Sequence, residues 1–457
     1  MKLYNSLTKR VEEFFPFSDV VKMYTCGPTV YYYPHIGNMR SYIFMDSLRR
    51  ILKYNGYKVE GVMNITDVGH LTSDSDTGED KMEVASKREN KTPLEIAKFY
   101  TDIFMTNIDK LNIDMPEHIT KATEYVPKMI DFIKSLEDKG YTYMTKDGLY
   151  FDTLKFKGYG KLSNKDMNEI GVARIEENEE KHHPFDFALW KLVEPNHIMK
   201  WDSPWGVGCP GWHIECSVMS TDILGEYIDI HTGGIDHKTV HHENEIAQND
   251  SCKGHEVVKT WMHCAFLQVD GRKMSKSLNN IYTLEDLEEK GYSPIDFKYF
   301  VLNTHYSKPL NFTIEGITSA KAARNNLLKL LENHKNSLDK TDEELLNKYR
   351  LKFINAISDD LNTPLAIGVI WTLLKEKPSI DIYNLIIDFD KSLGLKLDEG
   401  IIDETKDIPE EIEKLAKERW EAKKNKDYKL ADELRNTISS KGYNVLDNRE
   451  GYTIEKI

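Results

Sequence analysis

Residues 23–38 read MYTCGPTVYYYPHIGN, a cysteine at the end of an apolar run followed by a His-x-Gly-Asn turn. The run at 20–24 is short and mostly apolar or aromatic, and Gly27-Pro28 breaks it. From Ser41 to Tyr54 apolar residues return at helical spacing through Ile43, Phe44, Leu48, Ile51 and Leu52. The stretch therefore predicts strand, loop, helix. At such a junction the first N–H groups of the helix and its dipole favour phosphate. Gly37 would let a nucleotide approach the backbone, and His35 and Asn38 carry donors for phosphate oxygens. Taken alone, HIGN is described as well by an ordinary loop histidine beside a helix cap.

A second signal lies far downstream. Residues 269–279, VDGRKMSKSLN, place two lysines around small hydroxyl residues in a Gly- and Asn-flanked loop able to close over a triphosphate. By itself this reads as a solvated basic loop. HIGN and KMSKS together, in this order, resemble the paired signatures of class I aminoacyl-tRNA synthetases. The resemblance implies that the first motif holds ATP and that Lys273 and Lys276 stabilise charge as pyrophosphate leaves, Lys276 foremost. The commoner first motif ends in histidine. Asn38 stands there instead, a donor through its amide but without a charge.

The whole chain has 457 residues, 40% of them hydrophobic, enough for large cores and several domains. Its formal charge of −14 argues against nonspecific coating of nucleic acid, which needs a broad basic surface, but leaves room for a local basic face. The five cysteines, Cys26, Cys209, Cys216, Cys252 and Cys264, show no regular disulfide spacing, which fits a reducing, cytoplasmic setting. The N-terminus lacks the apolar core of a signal peptide, and no apolar run is long enough to span a bilayer.

Residues 57–65 predict a second strand, and Thr66, just beyond it, falls where open parallel sheets contact ligand. Residues 74–80 read as a loop and 93–111 as an amphipathic helix. From 115 to 201 the character shifts: a helix at 125–139, a hairpin at 141–152 and an acidic stretch at 176–181 look like an insertion dividing the nucleotide-binding domain. Residues 186–191, DFALWK, read as a buried aromatic turn with a solvated lysine tip.

Two further segments, GWHIECS at 211–217 and VHHENEIA at 240–247, are expected at or on helices. His241 and Glu245 are four residues apart, on one helical face. Thiolate, imidazole and carboxylate are all zinc ligands, and Cys26 would complete a tetrahedral set. The spacing alone is equally a solvated helix, and HHENE is not the HExxH of a zinc protease. The longer motifs TCGPTVYYYPHIGN, NITDVGHLTSDSDTGEDKM, GWHIECS, DIHTGGIDHKTVHHENEIAQ and KMSKS occur in the order typical of the cysteinyl-tRNA synthetase family, a resemblance that runs from Leu3 to near the C-terminus. It implies zinc ligands at Cys26, Cys216, His241 and Glu245, with Cys209 structural or incidental. It further implies that Thr66 and Asp236 hold the substrate ammonium, that Trp212 walls the pocket and that His231 lies near the substrate carboxylate and side chain. Asp236 is expected to be a buried counter-charge. The implied ligands and partners are one Zn2+, Mg2+ with ATP, L-cysteine and tRNA(Cys), with no membrane and no obligatory protein partner.

Residues 283–290 and 293–306 read as short helices, and 318–396 as helical throughout, with Leu327, Leu328, Leu330 and Leu331 in one run and Phe353, Ile354, Ile357 and Leu361 in the next. This half resembles the family's DALR-type bundle, including the DDLNTP of residues 359–364. Beyond an acidic linker at 403–409, Arg419, Ala422, Lys423, Asp427, Tyr428, Ala431, Asp432 and Arg435 repeat the spacing of the family's C-terminal helices. The tip Gly451-Tyr452-Thr453-Ile454 lacks the tryptophan usual there. The expected architecture is α/β: a Rossmann-like parallel-sheet catalytic domain (1–114 and 202–270) split by an insertion (115–201), then a KMSKS and stem-contact region (271–317), an all-α bundle (318–402) and an anticodon-binding module (403–457). Two rival readings are a cysteine ligase joining the activated amino acid to an amino sugar in the mycothiol pathway, and a noncatalytic RNA-binding paralogue.

Overall fold

A computed structural model describes residues 1–69, 80–164, 180–274, 278, 280–400, 409–447 and 451–456. The chain forms two compact units, Met1–Glu288 with Tyr292–Leu397, and Glu289–Gly291 with Asp398–Ile457. The first is built on a five-stranded parallel sheet ordered Val258–Cys264, Ile228–Gly234, Val20–Thr25, Lys58–Ile65, His118–Lys121. Strands covered on both faces need near-continuous apolar or satisfied side chains, and Ile228–Gly234 is buried at all but its last residue. Val20–Thr25 lies at the point where strand order reverses: the next two strands run to one side of it and the last two to the other. Such a switch point opens a crevice beyond the strand C-termini. Cys26 stands at the end of one flanking strand and Asp236 just past the other.

The helix after the first strand spans Ile36–Tyr54 and begins earlier than its apolar periodicity indicates, because His35 and Asn38 form a capping box. The Asn38 N–H donates to His35 Nδ1 (3.2 Å), and the His35 N–H donates to Asn38 Oδ1 (3.1 Å). The same helix buries Asp46, which accepts from Lys298 Nζ (2.6 Å) and Arg50 Nε (2.7 Å). It also buries Arg40, whose guanidinium donates to the carbonyls of Ala265, Phe266, Tyr306 and Lys308. Those carbonyls flank a small sheet in which Leu267–Val269 pairs with Arg272–Lys273 and Leu310–Phe312. Arg40 thus ties the first signature helix to the strands that deliver the second signature.

Two expectations are corrected. Phe187–Leu192 is a strand, not a turn; it lies in a four-stranded antiparallel sheet between Gly148–Phe151 and Gly208–Pro210. FALWKL is buried at its first four positions, so the alternation that marks a half-exposed strand is absent. The boundaries of the insertion shift accordingly: His118–Lys121 pairs with the parallel sheet, while Gly208–Pro210 completes the antiparallel one beyond residue 201. Helices Ile314–Lys335, Glu343–Ser358, Thr363–Leu373 and Ile380–Leu393 make the bundle, which starts before residue 318 and shares one hydrophobic core with the catalytic half. In the second unit, helices Glu410–Lys424 and Tyr428–Ser440 and a hairpin of Tyr443–Asp447 with Tyr452–Lys456 enclose a core of Ile412, Ala416, Ile438 and Val445. The acidic stretch at 176–181, from residue 180 onward excepted, and the linker at 403–409, its last residue excepted, lie outside the described residues, as does the loop at 74–80 up to residue 79.

Candidate active site

The strand C-termini, the start of the signature helix and the loop before KMSKS enclose a cavity of about 500 Å³ lined by Cys26, His35, Gly37, Asn38, Trp212, Asp236, Lys273 and Met274 among others. Lys276 lies outside the described residues. Gly27 is required by close approach: a Cβ there would sit 1.6 Å from the Asn64 carbonyl oxygen, and its N–H donates to Asn64 Oδ1 (2.7 Å). A Cβ on Gly37 would fall 2.3 Å from Met274 Cε, so the two signatures touch at this point. Because His35 Nδ1 accepts a backbone N–H, the neutral ring carries its proton on Nε2 and offers it as a donor. Burial lowers the His35 pKa, which keeps the ring neutral.

Cys26, Cys216, His241 and Glu245 are all buried, and their ligand atoms lie within 4.8 Å of one another. Cys26 Sγ is 4.0 Å from Cys216 Sγ and 3.9 Å from Glu245 Oε1, while His241 Nε2 is 3.4 Å from Cys216 Sγ and 3.2 Å from Glu245 Oε1. Two thiols, an imidazole and a carboxylate form a donor set that a zinc ion fits. Burial pushes the pKa of both thiols up. A dication would supply the charge that holds them as thiolates. Cys209 is not among the four; it lies in strand Gly208–Pro210 on a different cavity.

The remaining sequence-derived candidates divide. Trp212 and Asp236 line the main cavity, and the Trp212 ring lies 4.7 Å from that of His241. Asp236 is exposed there, contrary to the buried counter-charge expected, because it follows the strand end and opens a short 3-10 turn. Thr66 is buried, its hydroxyl donating to Glu215 Oε2 (2.9 Å) and accepting from Asn64 Nδ2 (2.9 Å). His231 is fully buried in its strand and donates from Nε2 to Glu245 Oε2 (2.8 Å). Its ring thus acts on the carboxylate of the cluster, where a place beside the substrate was expected.

Three histidines were not singled out from sequence. His242 Nε2 is 3.2 Å from Cys26 Sγ, and His242 with Cys26, His231 and Glu245 forms a second, overlapping group of possible ligands. His213 Nδ1 is 2.9 Å from His241 Nδ1, and His263 Nε2 is 2.9 Å from His242 Nδ1. The doubled histidine at 241–242 was the only signal available, since the other partners come from separate elements.

Residues 15–322 match the family model for the class I (C) tRNA synthetase catalytic domain, and residues 352–377 match the DALR domain. A solved structure of Mycobacterium tuberculosis methionyl-tRNA synthetase in complex with methionyl-adenylate shares the fold, with a TM-score of 0.57 at 14% identity, over 84% of this chain and 92% of that one. Fold and site thus define a class I aminoacyl-tRNA synthetase. Among curated proteins, the chain is 43% identical to the cysteine–tRNA ligase of Treponema denticola, 40% to that of Borrelia hermsii and 38% to that of Borreliella burgdorferi, each over 100% of this chain and 99% of the relative. The chain belongs to the cysteine–tRNA ligase family.

Proposed function

We propose that the chain activates L-cysteine with ATP, giving cysteinyl adenylate and pyrophosphate, and then transfers the cysteinyl group to the 3′-terminal ribose of tRNA(Cys). The observation that carries this reading is the meeting of Cys26, Cys216, His241 and Glu245 beside the cavity that holds His35, Asn38 and Lys273. In the activation step the substrate carboxylate attacks the α-phosphorus of ATP in line, a reaction served mainly by positioning and charge stabilisation. His35 Nε2–H and the Asn38 amide donate to phosphate oxygens at the helix start, and Gly37 admits the nucleotide. Lys276 and Lys273 neutralise the departing pyrophosphate, with Mg2+ accompanying ATP. Asp236 holds the ammonium, Trp212 walls the pocket, and His231 orients Glu245.

Cys26, Cys216, His241 and Glu245 would hold a zinc ion, which would supply an affinity for the substrate thiolate that the hydroxyl of serine does not share. Size alone separates near-isosteres by only about 1–3 kcal/mol, so an atom-specific bond removes the need for editing. The five cysteines are free thiols, which favours a reducing, cytoplasmic setting. Likeness to the ligases over their full length, helical half included, favours this reading over an amino-sugar ligase or a binding paralogue.

The test is Cys216→Ser. Zinc content per chain and cysteine-dependent pyrophosphate exchange are expected to fall together; full zinc occupancy in the variant would overturn the ligand assignment.

A further inference from the structure

The rim of the cavity carries an aromatic cluster to which the activation step above gives no role. Tyr32 and Tyr33, in the loop before HIGN, are 38% and 42% exposed, and Phe99, on helix Pro93–Lys110, is 38% exposed. Tyr100 locks them together: its ring lies 5.3 Å from Tyr33 edge-on, 6.4 Å from Tyr32 near-parallel and 5.1 Å from Phe99 edge-on. The rings are therefore ordered before anything binds. Tyr32, Tyr33 and Tyr100 line the same cavity as His35, Asn38 and Lys273.

Cations lie on the faces of these rings. The Arg88 guanidinium is 4.9 Å from the Tyr32 centroid and Lys91 Nζ is 4.3 Å from that of Phe99. Arg88 is aimed by bonds to the Tyr31 carbonyl (3.2 Å), the Tyr100 hydroxyl (3.2 Å) and Glu89 (2.6 Å), the last offsetting part of its charge. Exposed rings packed with Arg and Lys make a platform on which unpaired bases stack while the cations meet phosphates. Glu89 also pairs with Lys91 (3.5 Å), so Arg88, Glu89 and Lys91 together keep one net positive charge beside the rings at the mouth of the reaction cavity. With ATP at the helix start, a longer ligand entering past these rings would meet the aromatics with its bases and the cations with its phosphates.

We propose that Tyr32, Tyr33 and Phe99, with Arg88 and Lys91, stack and hold the unpaired 3′ nucleotides of the tRNA acceptor as its terminal ribose reaches the adenylate. The inference rests on the ligase reading above. Tyr33→Ala and Phe99→Ala, made in the full chain, are compared with the parent in tRNA charging and in cysteine-dependent pyrophosphate exchange, which needs no tRNA. In both variants KM for tRNA is expected to rise about tenfold relative to KM for cysteine in exchange, and Tyr33→Phe to restore the parental ratio. Trimming the unpaired 3′ nucleotides from tRNA should weaken binding to the parent more than to Tyr33→Ala. An unchanged KM ratio in both alanine variants, or equal loss on trimming in parent and variant, would overturn the platform. A parent that neither exchanges nor charges contradicts the ligase reading itself, and the trimmed-tRNA comparison then still decides the platform.

Discussion

Asn38 occupies a position where a histidine is commoner, and its geometry explains why asparagine serves. One end of the side chain, Oδ1, accepts the His35 N–H and closes the capping box, which leaves the amide NH2 as a donor for phosphate. Asn38→Asp keeps the acceptor and suits the helix N-terminus, so the fold should hold. It removes the donor and adds a negative charge where ATP carries its own. KM for ATP in pyrophosphate exchange should rise tenfold or more, since a hydrogen bond to a charged group is worth about 1.5–3 kcal/mol. A parental KM would show that residue 38 does not meet ATP. The motif was readable from residue types, whereas the sharing of the two ends of one amide was not, because it depends on the dihedral angles of the cap. Asp236 shows the reverse limit: its charge was legible, its exposure was not.

At the level of elements, the chain uses buried charges to fix helices that carry the site. Lys298 and Asp46 are both fully buried and 2.6 Å apart, and Lys298 also donates to the carbonyls of Leu111 (3.0 Å) and Asn112 (2.9 Å). Lys298→Met leaves Asp46 with the Arg50 guanidinium and the Asp114 N–H, both on Oδ1, and takes the partner from Oδ2, which should lower unfolding free energy by about 3–5 kcal/mol. Denaturant unfolding measures it; a loss below about 1 kcal/mol would mean the pair is dispensable. In the C-terminal unit Arg419 grips both oxygens of Asp447 (2.7 and 2.9 Å), and this bonding holds the Asp447 pKa well below the usual carboxylate range. A depressed folded-state pKa adds stability that is present above the unfolded value, about 3.9, and is lost as pH falls below it. Hydrogen-exchange protection of the helix Glu410–Lys424 in the full chain should drop below about pH 4, and Asp447→Asn should flatten that drop. Equal pH profiles in the two proteins would contradict the assignment. Arg40 and Lys298 escaped the sequence reading, and the burial of Arg419 did too, for one reason: helical periodicity marks apolar residues, and a buried cation inside it looks like a solvated one.

Across the whole molecule, contiguous patterns carried furthest. The strand, loop and helix around Cys26, the strand that follows at 58–65 and the helical second half follow from local periodicity and from breakers such as Gly27-Pro28, whereas the parallel strands His118–Lys121, Ile228–Gly234 and Val258–Cys264 were not read. The Phe187–Leu192 strand did not, since burial on both faces erases alternation. The cluster itself joins Cys26 to Glu245 across 219 positions, a meeting that no local pattern encodes; only the order of the long motifs pointed to it, and the supporting rings of His213, His242 and His263 stayed hidden. The switch point of the parallel sheet gives that meeting its physical cause, because it brings the ends of two strands remote in sequence to one crevice. Whether the crevice selects a thiolate is tested most directly by charging unfractionated tRNA with labelled cysteine and ATP beside labelled serine. Cysteine attached and serine left free is the result predicted; serine attached as readily, or cysteine attached not at all, would contradict it.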